Sequence, residues 1–251
     1  MVDRPLPPTA TPAPAPVPPV APPLPPLPPD AHRAWIRDDP PEGSQRALKH
    51  QLVRNTKRLI EAVALLDIGA TDPARLEELV HRAEAMADRA DAFPSHRGRG
   101  SLALARTDDA ALMERSGISG RSNPLAAPLH LEIDPDDRER TRGWAIWGDA
   151  YEGPPGCLHG GFVAAAFDDL LGFAQIASGL AGYTGMLTVR MRLPTPLNTR
   201  IDYEAWVDHV HGRKIFVRGT SAVGGTPVAD AEILFIQPRQ PRKLRPPGRP
   251  E

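Results

Sequence analysis

The stretch Gly156-Cys157-Leu158-His159-Gly160-Gly161-Phe162-Val163-Ala164-Ala165-Ala166-Phe167-Asp168-Asp169 decides the fold. Pro154-Pro155-Gly156 breaks the chain, and a glycine pair stands where a helix should begin. From Phe162 to Ala177 the only polar side chains are Asp168, Asp169 and Gln175. A helix that is apolar on every side is a buried helix. The pattern therefore predicts a central helix that ends around Ser178-Gly179. An ionised carboxylate in such surroundings is costly unless it is paired, hydrogen-bonded or turned towards a cavity. The two aspartates mark this helix as the expected active site of an enzyme.

Six strand patterns surround that helix. Residues 129–133 and 142–148 precede it. Residues 188–193, 201–207, 214–220 and 228–236 follow it, with turn residues such as His211-Gly212-Arg213 and Gly224-Gly225-Thr226-Pro227 between them. Two strands, one buried helix and four strands make an α+β layout, in which an antiparallel sheet wraps a central helix.

Outside this unit, residues 44–92 read as a helical hairpin. Leu48, Leu52, Leu59, Val63 and Leu66 form one stripe, and Leu76, Leu79, Val80, Ala83, Met86 and Ala90 form a second. Gly69 is the expected stop of the first helix, and Thr71-Asp72-Pro73 supplies a cap and a first-turn proline for the second. Two such helices are expected to pack on each other and on the main domain or a partner subunit. Residues 93–122, rich in Gly, Ser and Arg, read as a linker. Residues 1–43 read as a disordered tail, with 14 of the 31 prolines in the first thirty positions, and 239–251 as a second tail. The first tail is expected to act as a tether rather than as a docking site for a proline-binding module.

Composition narrows the functions. A net charge of −1 provides no global attraction for nucleic acid or an anionic membrane. Cys157 is the only cysteine, so no disulfide forms within one chain, and a cytoplasmic setting is expected. No span-length apolar run and no signal-peptide pattern are expected. His209 and His211 alternate along a strand without a third ligand nearby, so no metal site is expected. A Cys157–His159 nucleophilic pair is conceivable, but the acid at Asp168 explains the site better.

The chain resembles the hotdog-fold thioesterases of the PaaI type, over roughly residues 123–238. The residues that carry the resemblance are His159-Gly160-Gly161 at the start of the central helix, an acid nine positions after the histidine (Asp168), a Thr-containing strand from Thr188 to Pro194, and the Gly212-Arg213 turn. The resemblance implies hydrolysis of acyl-CoA thioesters by a dimer, or pair of dimers, with sites at the subunit interface and no cofactor. Asp168 is then general base or nucleophile. The Gly161 N–H is the expected oxyanion donor, at a helix N-terminus whose dipole favours developing negative charge. His159 orients the thioester region, and Thr184, ten residues before Pro194, helps hold water. Gly160 lets the substrate approach the backbone, and Gly212, Arg213 and Lys214 clamp the CoA phosphates. Asp169, about 100° round the helix, is expected to be satisfied by backbone, Arg190 or Arg192. Two alternatives stand beside this reading: a hotdog hydratase or dehydratase, and a non-catalytic acyl-CoA-binding protein.

Overall fold

The computed structural model describes residues 39–96, 114–133, 140–180 and 182–238. The tail readings for 1–38 and 239–251, and the linker reading for 97–113, lie outside the described residues. Six strands form one antiparallel sheet: β1 (His130–Ile133), β2 (Arg140–Ile146), β3 (Tyr183–Met191), β4 (Arg200–His211), β5 (Lys214–Val223) and β6 (Thr226–Ile236). Their spatial order is β1-β2-β4-β5-β6-β3. The helices are α1 (Gln45–Ala64), α2 (Pro73–Asp91) and α3 (Gly160–Ala177). Chain order matches the sequence pattern of two strands, one helix and four strands.

Helix α3 packs on one face of this sheet because its apolar positions need cover. Val163, Ala166, Phe167, Leu170, Leu171 and Ala174 are buried. They meet Ile201, Tyr203, Ala205, Ile215, Val217, Ile233 and Phe235, the inward-facing residues of β4, β5 and β6. The alternation in β5 follows from this, with Ile215, Val217, Gly219 and Ser221 inward. A Cβ on Gly219 would lie 3.0 Å from the Glu204 carbonyl oxygen and 3.1 Å from Leu171 Cδ1, so the glycine permits this close helix–sheet approach. The Trp147 indole N–H donates to the Tyr203 hydroxyl (3.1 Å). Burial pushes the Tyr203 phenol up to about 12. By length and composition α3 could cross a membrane, but half of it is buried in this core.

Two expectations are corrected. The helix is not buried all round: Gly161, Phe162 and Asp168 are exposed on the side away from the sheet. Residues 114–122, read as linker, fold against the core. Ser116 Oγ donates to Asp169 Oδ1 (3.0 Å) and accepts from the Ile118 and Ser119 amides. Glu114 accepts from Ser122 and is 2.7 Å from His50 Nε2, which ties α1 to the domain.

Helix α2 begins on the expected cap, Asp72, and α1 begins on Ser44. Ser44 accepts from the Ala47 amide, and Asp72 from the Ala74 amide with Pro73 at the first turn. Helix α1 stops at Ala64, and Gly69 falls in a short 3-10 turn, Ile68–Ala70. The expected mutual packing is not seen. Of the two apolar stripes only Leu59 and Leu76 are half-buried, and the others are exposed.

Candidate active site

The N-terminus of α3 is fixed by a tight lead-in. Gly156 takes φ +72, a left-handed conformation that suits glycine. The Leu158 amide donates to the Thr195 carbonyl (2.8 Å), and the His159 amide to the Tyr151 carbonyl (3.0 Å). His159 is itself the N-cap, and its Nδ1 accepts from the Gly161 N–H at 3.0 Å. Histidine is not among the preferred caps, but it stands at the expected helix start and serves here as one. It has a direct consequence for the site: the N–H expected to hold the oxyanion is already engaged by the side chain two residues earlier. The Gly160 N–H, at the first helical position, donates to no group among the described residues. This leaves the Gly160 N–H, rather than that of Gly161, without a hydrogen-bond partner among the described residues. A Cβ on Gly160 would lie 3.1 Å from Met191 Cε, so the end of β3 packs beside this residue.

Around the same end stand Trp147, Tyr151 and Phe162. Tyr151 meets Phe162 edge-on at 4.9 Å and Trp147 at 5.1 Å. Burial, with a smaller contribution from the Glu61 carboxylate of α1, pushes the Tyr151 phenol up. This aromatic wall was not recognised from the sequence, where its members are scattered over three segments.

Asp168 lies at the other end. The Thr184 hydroxyl donates to its Oδ1 at 3.2 Å, which brings together two of the expected catalytic residues. Asp168 is exposed in the single chain. The desolvation argument made for it applies instead to Asp169, which is half-buried and held by Ser116. Arg190 and Arg192 both pair with Asp230, not Asp169.

The Gly212-Arg213 turn, with Gly212 at φ +59, joins β4 to β5 at this same end. Ile215 and Thr184 both pair with Phe235 from opposite sides, so Lys214 lies about 10 Å from the start of β3, two strand spacings away. His209 stacks on Phe216 (4.2 Å) with its Nδ1 2.8 Å from Asp208. Among the described residues no three His, Cys, Asp or Glu side chains converge as a metal site would need.

The expected site residues thus fall into two groups at opposite ends of β3. His159, Gly160 and Gly161 lie near Met191. Asp168, Thr184 and the Gly212-Arg213-Lys214 turn lie near Tyr183. Eight residues of helix separate Gly160 from Asp168, about 12 Å along the axis.

A single antiparallel sheet wrapped around one helix is the hotdog architecture. No family model matches the chain. The chain is similar to the acyl-coenzyme A thioesterase THEM4 of Xenopus laevis, 35% identical over 69 residues, or 28% of this chain and 31% of that one. It is 33% identical to the Bos taurus THEM4 over 104 residues, 41% of this chain and 43% of that one. The similarity spans less than half the length of these curated relatives. A crystal structure of a thioesterase superfamily protein superposes with a TM-score of 0.67 at 27% identity, over 79% of this chain and 97% of that one. In fold, and over part of its sequence, the chain is thus similar to the hotdog-fold thioesterases, the family that His159-Gly160-Gly161 and Asp168 resemble.

Proposed function

We propose that this protein hydrolyses acyl-CoA thioesters, in a site completed by two copies of the chain. The observation that carries the reading is the pair of half-sites: an unpartnered N–H at Gly160 and a Thr184-held carboxylate at Asp168, too far apart in one chain to act on one carbonyl. Hydrogen bonds span about 3 Å. The set N–H···O=C···water···carboxylate therefore bends over roughly 6–7 Å, well short of the separation along α3. A two-fold contact across the open edge of β3 brings the Gly160 end of one copy to the Asp168 end of the other. The apolar side chains exposed there support it: Phe162, Tyr183, Met186, Met191 and Leu193 are 36–55% exposed, and an unpaired edge strand is a pairing surface.

In this site the Asp168 carboxylate takes a proton from water as its oxygen bonds to the thioester carbon. The negative charge that forms on the carbonyl oxygen is met by the Gly160 N–H and the α3 dipole. Collapse breaks the carbon–sulfur bond, and the CoA thiolate leaves with the proton that Asp168 holds. The products are a carboxylic acid and free CoA. Arg213 and Lys214, on the solvent side of the same half-site as Asp168, suit the CoA phosphates.

The test is thiol release from short, medium, long and aryl acyl-CoAs, with wild type beside Asp168→Asn. Turnover that is lost in the variant supports the reading. Binding without thiol release from any member contradicts it, and hydration of crotonyl-CoA would point to the hydratase alternative.

A further inference from the structure

The turn that joins β4 to β5 carries a pair of stacked rings beside its two cations. On the outer side of the sheet, away from α3, Lys214, Phe216 and Arg218 alternate with the inward Ile215 and Val217. His209 of β4 pairs with Phe216 and stacks on it, with ring centroids 4.2 Å apart and an interplanar angle of 13°. A register shift between Val207 and His209 makes Asp208 an extra residue in β4. Such bulges re-aim side chains. Here the Asp208 carboxylate accepts from His209 Nδ1 at 2.8 Å and lies 3.6 Å from Arg218 Nη1. His209 is thus held twice, by Phe216 on one face and by Asp208 at its edge, yet its side chain is 54% exposed. Among the described residues no second ring meets its other face.

An exposed ring whose orientation is fixed in advance is a stacking platform with little left to order on binding. Beside it stand cations without counter-ions. Arg213 and Lys214 are exposed and form no ion pair among the described residues. Arg218, by contrast, is shared by Asp208 and Glu232. Lys214 is two residues from Phe216 on the same side, about 6.7 Å along the strand, which is the order of the span from a nucleobase to its own phosphate. Rings take the face of a base, and cations take its phosphates. Together they fit a nucleotide better than an inorganic anion or a purely apolar ligand.

We propose that this outer face binds the nucleotide end of CoA, with the adenine on His209 and the phosphates on Arg213 and Lys214. The identity of the ligand rests on the acyl-CoA reading. Lys214 lies about 10 Å from the start of β3, where Thr184 holds Asp168, and the pantetheine arm of CoA is long enough to cover that distance. His209 is then the residue that separates thioesters of CoA from those of thiols without a nucleotide.

Adenosine 3′,5′-bisphosphate, a probe with no thioester, should bind the full-length chain in calorimetry. His209→Ala should weaken it by about fivefold or more, while inorganic pyrophosphate, which needs only the cations, should bind wild type and variant alike. His209→Phe, which restores a ring, should recover most of the loss. In thiol release, His209→Ala should raise KM for an acyl-CoA more than KM for the matching acyl-pantetheine. A bisphosphate that does not bind, that binds His209→Ala as tightly as wild type, or that weakens only in step with pyrophosphate overturns the platform, even where acyl-CoA is hydrolysed. Bisphosphate binding with the expected His209 dependence, but no thiol release from any acyl-CoA, would support the platform and strike the hydrolysis instead.

Discussion

Replacing Gly160 by proline deletes one backbone N–H and leaves every catalytic side chain in place. The position accepts the change. Gly160 is the first residue of α3, where proline is favoured because its N–H has no helical partner. His159 before it has φ −60 and ψ 131, the extended conformation that a residue before proline requires. The added Cβ would lie 3.1 Å from Met191 Cε, the far end of a flexible side chain that can give way. Thermal stability should therefore hold, or rise by about 0.4–1 kcal/mol through the restricted unfolded chain. Activity should not hold. Loss of one preorganised oxyanion donor lowers kcat by about 10²–10³, or about 2.7–4 kcal/mol. Gly160→Ala, which keeps the N–H and adds the same Cβ, separates donation from crowding. The assay is steady-state thiol release, with kcat and KM resolved. A folded Gly160→Pro protein with kcat within about threefold of wild type would refute the assignment of the donor.

Three further outcomes follow from the same geometry. Asp168→Asn should lower kcat by about 10²–10⁴ as a lost general base, while Thr184→Val, which removes only the bond to Asp168 Oδ1, should cost far less; thiol-release rates check both. His159→Ala removes the cap on the Gly161 amide and should destabilise the fold by about 1 kcal/mol, read as a lowered denaturation midpoint. At Glu114 burial works to raise the carboxyl, but hydrogen bonds from Ser122 and His50, with the nearby His50 and Arg121 charges, hold it below the ordinary value. A depressed acid stabilises the fold fully above its unfolded value, about 4.3, and that contribution is lost as pH falls through the folded value. Hydrogen-exchange protection factors in Gln45–Ala64, corrected for intrinsic rates, should therefore fall on acidification below about 4, and Glu114→Gln should remove most of that dependence.

The order of strands and the central helix were legible because the periods are strong: alternation in β4, β5 and β6, and an unbroken apolar run in α3. β3 starts at Tyr183 rather than Thr188, because Gly185 sits at a register shift and the strand is an exposed edge without inside–outside contrast. Asp168 and Asp169 are identical neighbours in an apolar run, so composition marks the helix but not which acid turns into the fold. That was decided by Ser116, 53 residues away in sequence. The engagement of the Gly161 amide depends on one histidine rotamer, which no spacing encodes. The stripes of α1 and α2 show that faces need cover, but a period carries no information about what covers them.

The most direct test of the two-copy site is complementation between Asp168→Asn and Gly160→Pro. Each variant alone should be nearly inactive. Refolded together in equal amounts, they should form mixed pairs with one intact site, and recover about a quarter of wild-type thiol release if pairing is random. Recovery of that size would establish that the Gly160 amide and the Asp168 carboxylate act from different copies. A mixture that pairs but stays as inactive as its components would contradict the account.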